Sequence, residues 1–142
     1  MAATGIHHIA LSVGDWDRSA AFYTALAKEL GAEPFIDCCG APHRDAEGHV
    51  LIFAGDGFMF SIWEATDPGR GRGAFADYDV GFHHVAFQAP SREAVDALHR
   101  TVQGLGAEIV DPPAEYDYVP GYYAVFFRDP EGMRIEYAHI PA

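Results

Sequence analysis

Two histidines stand at matching places in the two halves of this chain. His8 lies in Ile6-His7-His8-Ile9-Ala10-Leu11, and His84 in Phe82-His83-His84-Val85-Ala86-Phe87. Neutral imidazole binds Fe, Mn, Zn, Co or Ni, and a carboxylate completes such a ligand set. Side chains alternate across a strand, so strand parity tells which residues share the histidines' face. Ile9, Leu11 and Val13 lie with His7, which leaves His8, Ala10 and Ser12 on the other face. Likewise Val85, Phe87 and Ala89 lie with His83, and His84 lies with Ala86 and Gln88. The bulky face is suited to packing on helices. The small, polar face has the composition of a cavity wall. Near the end of the chain Ile135 and Tyr137 alternate with Arg134, Glu136 and Ala138. In the first half Phe58, Phe60 and Ile62 alternate with Met59, Ser61 and Trp63. The predicted metal ligands are therefore His8, His84 and Glu136, with Ser61 where symmetry would place a fourth. Two histidines and one carboxylate leave positions open for substrate and water, which favours a catalytic over a closed structural site.

An internal repeat must position these residues. Gly31-Ala32-Glu33 matches Gly106-Ala107-Glu108, Gly48–Phe53 sits opposite Tyr123–Arg128, and Gly57–Ser61 sits opposite Gly132–Glu136. The offset stays nearly constant across these separated anchors. Each module reads β-α-β-β-β, which makes the fold class α+β. The first strands are predicted at about Ile6–Val13 and Phe82–Ala89. Phe22, Ala25, Leu26 and Leu30 make an amphipathic stripe, capped by Asp15 or Asp17 and stopped by Gly31. Val95, Leu98, Val102 and Leu105 make the second, capped by Ser91 and ended by Gly104 and Gly106. Asp129-Pro130-Glu131-Gly132 and Ala54-Gly55-Asp56-Gly57 read as turns between strands. The expected organisation is one domain of two modules, about 1–64 and 81–142, joined by a Gly-, Asp-, Pro- and Arg-rich linker at about 65–80. One module exposes half a core, so modules are expected to pair within a chain or swap between chains.

Composition narrows the partners. The chain has 142 residues, a normal size for one domain, and 49 % are apolar, enough for a core. A formal net charge of −12, with Lys28 the single lysine, argues against nucleic acid and against an anionic membrane surface. No apolar stretch is long enough to span a bilayer and no leader pattern is visible, so a cytoplasmic protein is expected. Cys38 and Cys39 are adjacent and read as ordinary thiols of a reducing compartment.

Taken singly, His8 or His84 reads as a core histidine; repeat symmetry, shared facing and Glu136 together favour the ligand reading. His7 and His83 read as packing or strand-edge residues, and His43, His49, His99 and His139 as surface or supporting ones. His49 and His139 retain a route to the mouth of the site. Arg134 shares the Glu136 face and reads equally as a catalytic or anion-holding arginine and as an exposed strand residue. Among Tyr116, Tyr118, Tyr122 and Tyr123, the expected proton donor is Tyr123. Met59, Ser61, Trp63 and Gln88 are the expected substrate-binding residues, and Trp63 with Met59 suits an apolar or aromatic ligand. Trp16 is expected to pack near the helix start.

Taken together, the chain resembles the vicinal oxygen chelate superfamily: glyoxalase I, extradiol dioxygenases, and fosfomycin- and bleomycin-resistance proteins. The resemblance spans nearly the whole chain. It rests on His-Ile-Ala-Leu at His8, Phe22-Tyr23, His-Val-Ala-Phe at His84, and Asp129-Pro130-Glu131-Gly132-Met133-Arg134-Ile135-Glu136. It implies paired βαβββ modules forming a half-open barrel around a divalent ion held by His8, His84 and Glu136, with Fe2+ or Mn2+ favoured and Zn2+, Ni2+ or Co2+ compatible. A homodimer acting on a small molecule is expected. The fourth glyoxalase I ligand falls on Ser61, a poor ligand, and parity points the nearby Glu64 away. The pattern thus resembles extradiol dioxygenases or fosfomycin-modifying enzymes more than glyoxalase I. The expected chemistry is dioxygenase-like, acting on two adjacent oxygens. The alternatives are a redox-neutral lyase, isomerase or epimerase, or a drug-binding protein without chemistry. A phosphonate substrate would need a cationic pocket, for which one lysine and sparse arginines are a weak basis.

Overall fold

The computed structural model describes residues 6–39, 48–65, 67 and 82–141. It divides into two compact units, Met1–Arg72 and Gly73–Ala142.

In the first unit, alternation along Ile-Ala-Leu-Ser-Val makes strand β1 (Ile9–Val13), with Val13 buried and Ala10 and Ser12 exposed. Helix α1 (Trp16–Glu29) starts where the Asp15 carboxylate accepts the Arg18 N–H at 3.2 Å. It ends as Gly31 takes a positive φ of 69°, which other residues adopt at a cost. Its buried stripe is Ser19, Phe22, Tyr23, Leu26 and Ala27. β2 (Glu33–Cys39), β3 (His49–Gly55) and β4 (Phe58–Glu64) complete a sheet of order β1-β4-β3-β2. Tyr23 and Leu26 pack with Phe53, Phe60 and Ile62, where Phe53 and Phe60 stack at 4.9 Å. Each such fully buried side chain contributes about 1.5–3 kcal/mol.

The second unit repeats the plan. β5 (Val85–Gln88) leads into α2 (Arg92–Gly104), whose N-cap Ser91 accepts the Ala94 N–H at 3.2 Å. Val95, Leu98 and Val102 are wholly buried. β6 (Ile109–Glu115), β7 (Tyr123–Arg128) and β8 (Arg134–His139) give the order β5-β8-β7-β6. Pro112 and Pro113 cannot donate to a ladder, and β6 is accordingly an edge strand with irregular register around them. In both sheets the first strand runs parallel to the last, and the other pairs are antiparallel. The α+β fold class expected from the sequence is thus observed, and neither sheet closes on itself.

The first strands are shorter than predicted. β1 begins at Ile9 opposite Phe60, and β5 at Val85 opposite Ile135. Carrying the register back brings His7 opposite Phe58, the first residue of β4, and His83 opposite Met133, just before β8. Both His-His pairs therefore precede their strands. The expected linker at 65–80, apart from Ala65 and Asp67, lies outside the described residues, as does His43.

The β7–β8 turn shows why Asp-Pro-Glu-Gly reads as a turn. Buried Asp129 accepts the N–H groups of Glu131 (3.0 Å) and Met133 (2.7 Å) through Oδ1, and Gly132 takes a φ of 94°. This turn sets the β7–β8 register and hence what stands beside Glu136. Asp129→Ala strands two backbone donors; we expect a loss of about 1–3 kcal/mol in urea unfolding, and an unchanged midpoint would show that the turn holds without the carboxylate.

Candidate functional site

Glu136 lies on β8 between Ala86 of β5 and Phe126 of β7, and it is 3 % exposed. A carboxylate so buried must be hydrogen-bonded or paired. Two groups meet it. His84 Nε2 lies 3.0 Å from Oε2, and the Tyr122 hydroxyl donates to Oε1. His84 precedes β5 and by register stands across from Arg134, so it reaches Glu136 diagonally on the same face. Its ring packs edge-on against Phe126 at 6.0 Å, and its side chain remains 31 % exposed.

Burial pushes the Tyr122 phenol far above its ordinary pKa, and the Glu136 hydrogen bond acts in the same direction. The phenol therefore stays protonated and donating. That leaves Oε2 as the carboxylate atom available to a further partner.

The donor chemistry fits a divalent ion. An imidazole lone pair and a carboxylate oxygen facing each other at 3.0 Å need a cation between them, either a proton on Nε2 or a metal ion. His84 Nε2 and Glu136 Oε2 would be the residues' donor atoms to such an ion. His84 Nδ1 faces His83 Nδ1 at 2.5 Å, and His8 Nδ1 faces His7 Nδ1 at 2.9 Å. One proton can be shared in each contact. When it sits on His84 Nδ1, Nε2 presents a lone pair beside Oε2.

The first unit carries the matching position. Ser61 is flanked by Ala10 and Ile52 as Glu136 is by Ala86 and Phe126, and it is 5 % exposed. Its hydroxyl accepts the Trp63 indole N–H at 2.8 Å. The buried polar atom is thus satisfied within its own strand. His8 is exposed just before β1. Met59 is half-buried and lines an open groove of 590 Å³ with Ile6, His7, Ala54 and Phe58. Glu64 accepts the His49 N–H at 3.0 Å, and the His49 ring stacks on Trp16 at 5.1 Å. Trp16 thus sits at the helix start as expected, and His49 packs on it. Among the described residues, no group of three or more His, Cys, Asp or Glu side chains is gathered so that it could hold a metal ion.

Two expectations change in the second unit. Tyr123 faces α2: its hydroxyl donates to Asp96 at 2.9 Å, and the Arg92 guanidinium lies 4.9 Å over its ring. The tyrosine at the carboxylate is Tyr122. Parity explains this, because Phe126 pairs with Glu136, so Ala124 and Tyr122 share that face and Tyr123 does not. The turn at 129–132 carried the needed signal, since its length fixes the pairing. The Arg134 side chain is 12 % exposed. It donates to Asp111 at 3.1 Å, and its guanidinium covers Phe126 at 4.8 Å. Gln88 lies exposed at the end of β5, opposite Ala138 on the Glu136 face. His139 Nδ1 lies 3.3 Å from the Ala89 carbonyl.

A family model described as the Glyoxalase/Bleomycin resistance protein/Dioxygenase superfamily matches residues 5–137. The chain belongs to that superfamily. The 2-epi-5-epi-valiolone epimerase of Actinomyces sp is 25 % identical over 150 residues, covering 99 % of this chain and 81 % of the epimerase. A glyoxylase/bleomycin resistance protein/dioxygenase domain from Frankia sp. EAN1pec superposes with a TM-score of 0.76 at 23 % identity, covering 99 % of this chain and all of that one. The fosfomycin resistance protein FosX from Listeria monocytogenes, solved with Mn(II) and sulfate, gives a TM-score of 0.65 at 20 % identity, covering 99 % and 95 %. These two structures show the fold of the superfamily.

In metal-free protein, Tyr122→Phe removes the donor to a buried carboxylate and is expected to cost about 1–3 kcal/mol in urea unfolding, against about 0.5–1.5 kcal/mol for Tyr123→Phe. Equal losses would deny Tyr122 its special place. Because the folded Tyr122 pKa lies above the unfolded value, its contribution is full below about pH 10 and is lost as pH rises further. Wild-type stability should therefore fall more steeply above pH 10 than that of Tyr122→Phe.

Proposed function

We propose that this protein is a divalent-metal-dependent enzyme acting on a small substrate through two adjacent oxygens. The observation that carries the reading is the contact of His84 Nε2 with Oε2 of the buried Glu136 at 3.0 Å. His8 enters as the third ligand from the sequence repeat and its His-Ile-Ala-Leu motif. Superfamily membership supports a divalent ion and a small-molecule ligand. Fe2+ or Mn2+ suits the mixed nitrogen and oxygen donors, and Zn2+, Ni2+ and Co2+ are compatible. When bound, such an ion supplies Lewis-acid stabilisation of negative charge developing on a substrate oxygen.

The chain's own residues do the rest. Tyr122 holds Oε1 and so keeps Glu136 turned with Oε2 towards His84. The His83 contact supports the orientation of the His84 ring. Ser61, Trp63, Met59 and Gln88 are proposed substrate-wall residues, with Ser61 and Trp63 acting as one bonded pair. Arg134 contributes by ordering Phe126 and Asp111 beside the carboxylate. A homodimer in a reducing, cytoplasmic setting belongs to the same proposal. No helix among the described residues is long and apolar enough to cross a membrane.

Serine at position 61 leaves three protein ligands and open positions, which supports the dioxygenase-like outcome. A second reading, redox-neutral epimerase or isomerase chemistry, is favoured by the similarity to the Actinomyces epimerase.

Elemental analysis tests the metal. Wild type is expected to carry about one ion per chain, and His84→Ala and Glu136→Gln to lose at least about tenfold in metal affinity. Equal metal in all three proteins would overturn the ligand assignment. Anaerobic loading with Fe(II), followed by oxygen uptake with catechols, separates the outcomes. Uptake supports the dioxygenase-like one, whereas oxygen-independent turnover of an α-hydroxy ketone supports the redox-neutral one.

A further inference from the structure

Ser61 and Glu136 hold the same place in their two sheets, and each receives a hydrogen bond from an aromatic side chain. The Tyr122 hydroxyl donates to Glu136 Oε1, and the Trp63 indole N–H donates to Ser61 Oγ at 2.8 Å. What each residue has left to offer differs. An ionised carboxylate that has accepted one bond can only accept again. A hydroxyl that has accepted one bond still carries its own proton. The indole nitrogen is a donor only, so Trp63 cannot reverse the direction of its bond. Among the described residues, the Ser61 hydroxyl makes no side-chain hydrogen bond besides this one. Its surroundings leave that proton one direction. β4 is an inner strand, paired with β1 and β3, so the backbone carbonyls around Ser61 lie along the sheet and the hydroxyl stands off it. Phe53, Phe60 and Ile62 fill the helix side. Ser61 faces the other side, between exposed Ala10 and half-buried Ile52.

We infer that Ser61 donates a hydrogen bond to a carbonyl oxygen of the substrate, and that Trp63 is the positioning residue that turns the hydroxyl towards it. The inference rests on the reading of Ser61 and Trp63 as a substrate wall and adds to it the polarity of the group they take. Accepting the indole N–H polarises the hydroxyl and makes it a better donor. Ser61 is 5 % exposed, so an oxygen that reaches its hydroxyl meets little competing water. The donor is neutral and therefore suits an uncharged acceptor, and its bond strengthens as negative charge develops on that oxygen. A group that can only donate, such as an ammonium, would face the hydroxyl proton and be rejected. Met59 and Ile52, on the same face, offer apolar surface to the carbon skeleton beside the oxygen. Equivalent places in the two units thus carry opposite polarity, an acceptor at Glu136 and a donor at Ser61.

The test uses the full chain without metal, so that the His84–Glu136 pair gains nothing from a bound ion, and two probes of one skeleton. Cyclohexanone carries a carbonyl oxygen, and methylenecyclohexane carries a methylene group in its place. The chain has two tryptophans, so Trp16→Phe identifies the Trp63 indole N–H signal in proton–nitrogen correlation spectra. Cyclohexanone is expected to shift that signal, and Ser61→Ala to weaken cyclohexanone about 2- to 10-fold while leaving methylenecyclohexane unchanged. Ser61→Thr, which keeps the hydroxyl, should keep the preference for the ketone. In infrared difference spectra, the carbonyl stretch of bound cyclohexanone should fall in frequency, by less in Trp63→Phe and not at all in Ser61→Ala. If the ketone shifts the Trp63 signal but Ser61→Ala changes neither probe, or both equally, the inference is overturned and the wall reading stands. Loss of the preference in Ser61→Thr as full as in Ser61→Ala also overturns it. An equal infrared shift in wild type and Trp63→Phe overturns the part given to Trp63. If neither probe moves the Trp63 signal of the wild type, the wall reading fails and the inference goes with it.

Discussion

The buried carboxylate of Glu136 is the constraint on which the second sheet is organised. A charge removed from water costs several kcal/mol unless its neighbours compensate. Here each oxygen has one partner, Tyr122 on Oε1 and His84 on Oε2. The parallel pairing of β5 with β8 makes the histidine possible. It brings the residue before β5 to the level where β8 begins, one diagonal step from Glu136. A tight β7–β8 turn makes the tyrosine possible, because it fixes Phe126 opposite Glu136 and carries Tyr122 onto the same face. Fold and site thus depend on the same registers.

The first unit shows what becomes of that position when the charge is removed. Ser61 holds the equivalent place between the first and third strands of its sheet, and Trp63 satisfies it from two residues away. A hydroxyl needs one local partner, whereas a buried carboxylate needs two from other elements. In the first unit Phe53, Phe60 and Tyr23 form the core on the helix side, and Trp63 is the aromatic residue bonded to Ser61. The second unit places a comparable aromatic group on the opposite, carboxylate-bearing face. Symmetry of backbone has been kept while the chemistry of the two faces has diverged.

Much of this was legible from residue order because it is local. The caps at Asp15 and Ser91, the stripe of Val95, Leu98 and Val102, and the Asp129 turn each depend on a few neighbouring residues. The Glu136 face was legible from alternation alone. Register between strands is recorded only in the length of the turn that joins them. Choosing Tyr122 over Tyr123 needs the β7–β8 pairing, and a single-residue slip reverses every face. Arg134 illustrates a second limit. Parity placed it correctly beside Glu136, yet its partner Asp111 comes from an edge strand whose irregular register follows from Pro112 and Pro113. The early ends of β1 and β5 depend on where a distant partner strand turns, which no pattern within Ile6–Val13 or Phe82–Ala89 records.

The His-His pairs acquire a physical reason from that early ending. Inside a paired strand, successive side chains point to opposite faces and two adjacent rings stay apart. Beyond the ladder the backbone is released from that alternation, and the two rings can turn towards each other. In both units they do so through Nδ1, at 2.9 Å in the first and 2.5 Å in the second. An Nδ1-to-Nδ1 contact commits one ring to donate and the other to accept, which couples their tautomers. The outward Nε2 of the second histidine is then governed by the first. In the second unit that Nε2 faces Glu136, so His83 bears on whether the His84 ring donates to the buried carboxylate. Repetition of the dipeptide at both strand starts therefore reflects a shared mechanical origin, the point at which the sheet lets go of its first strand.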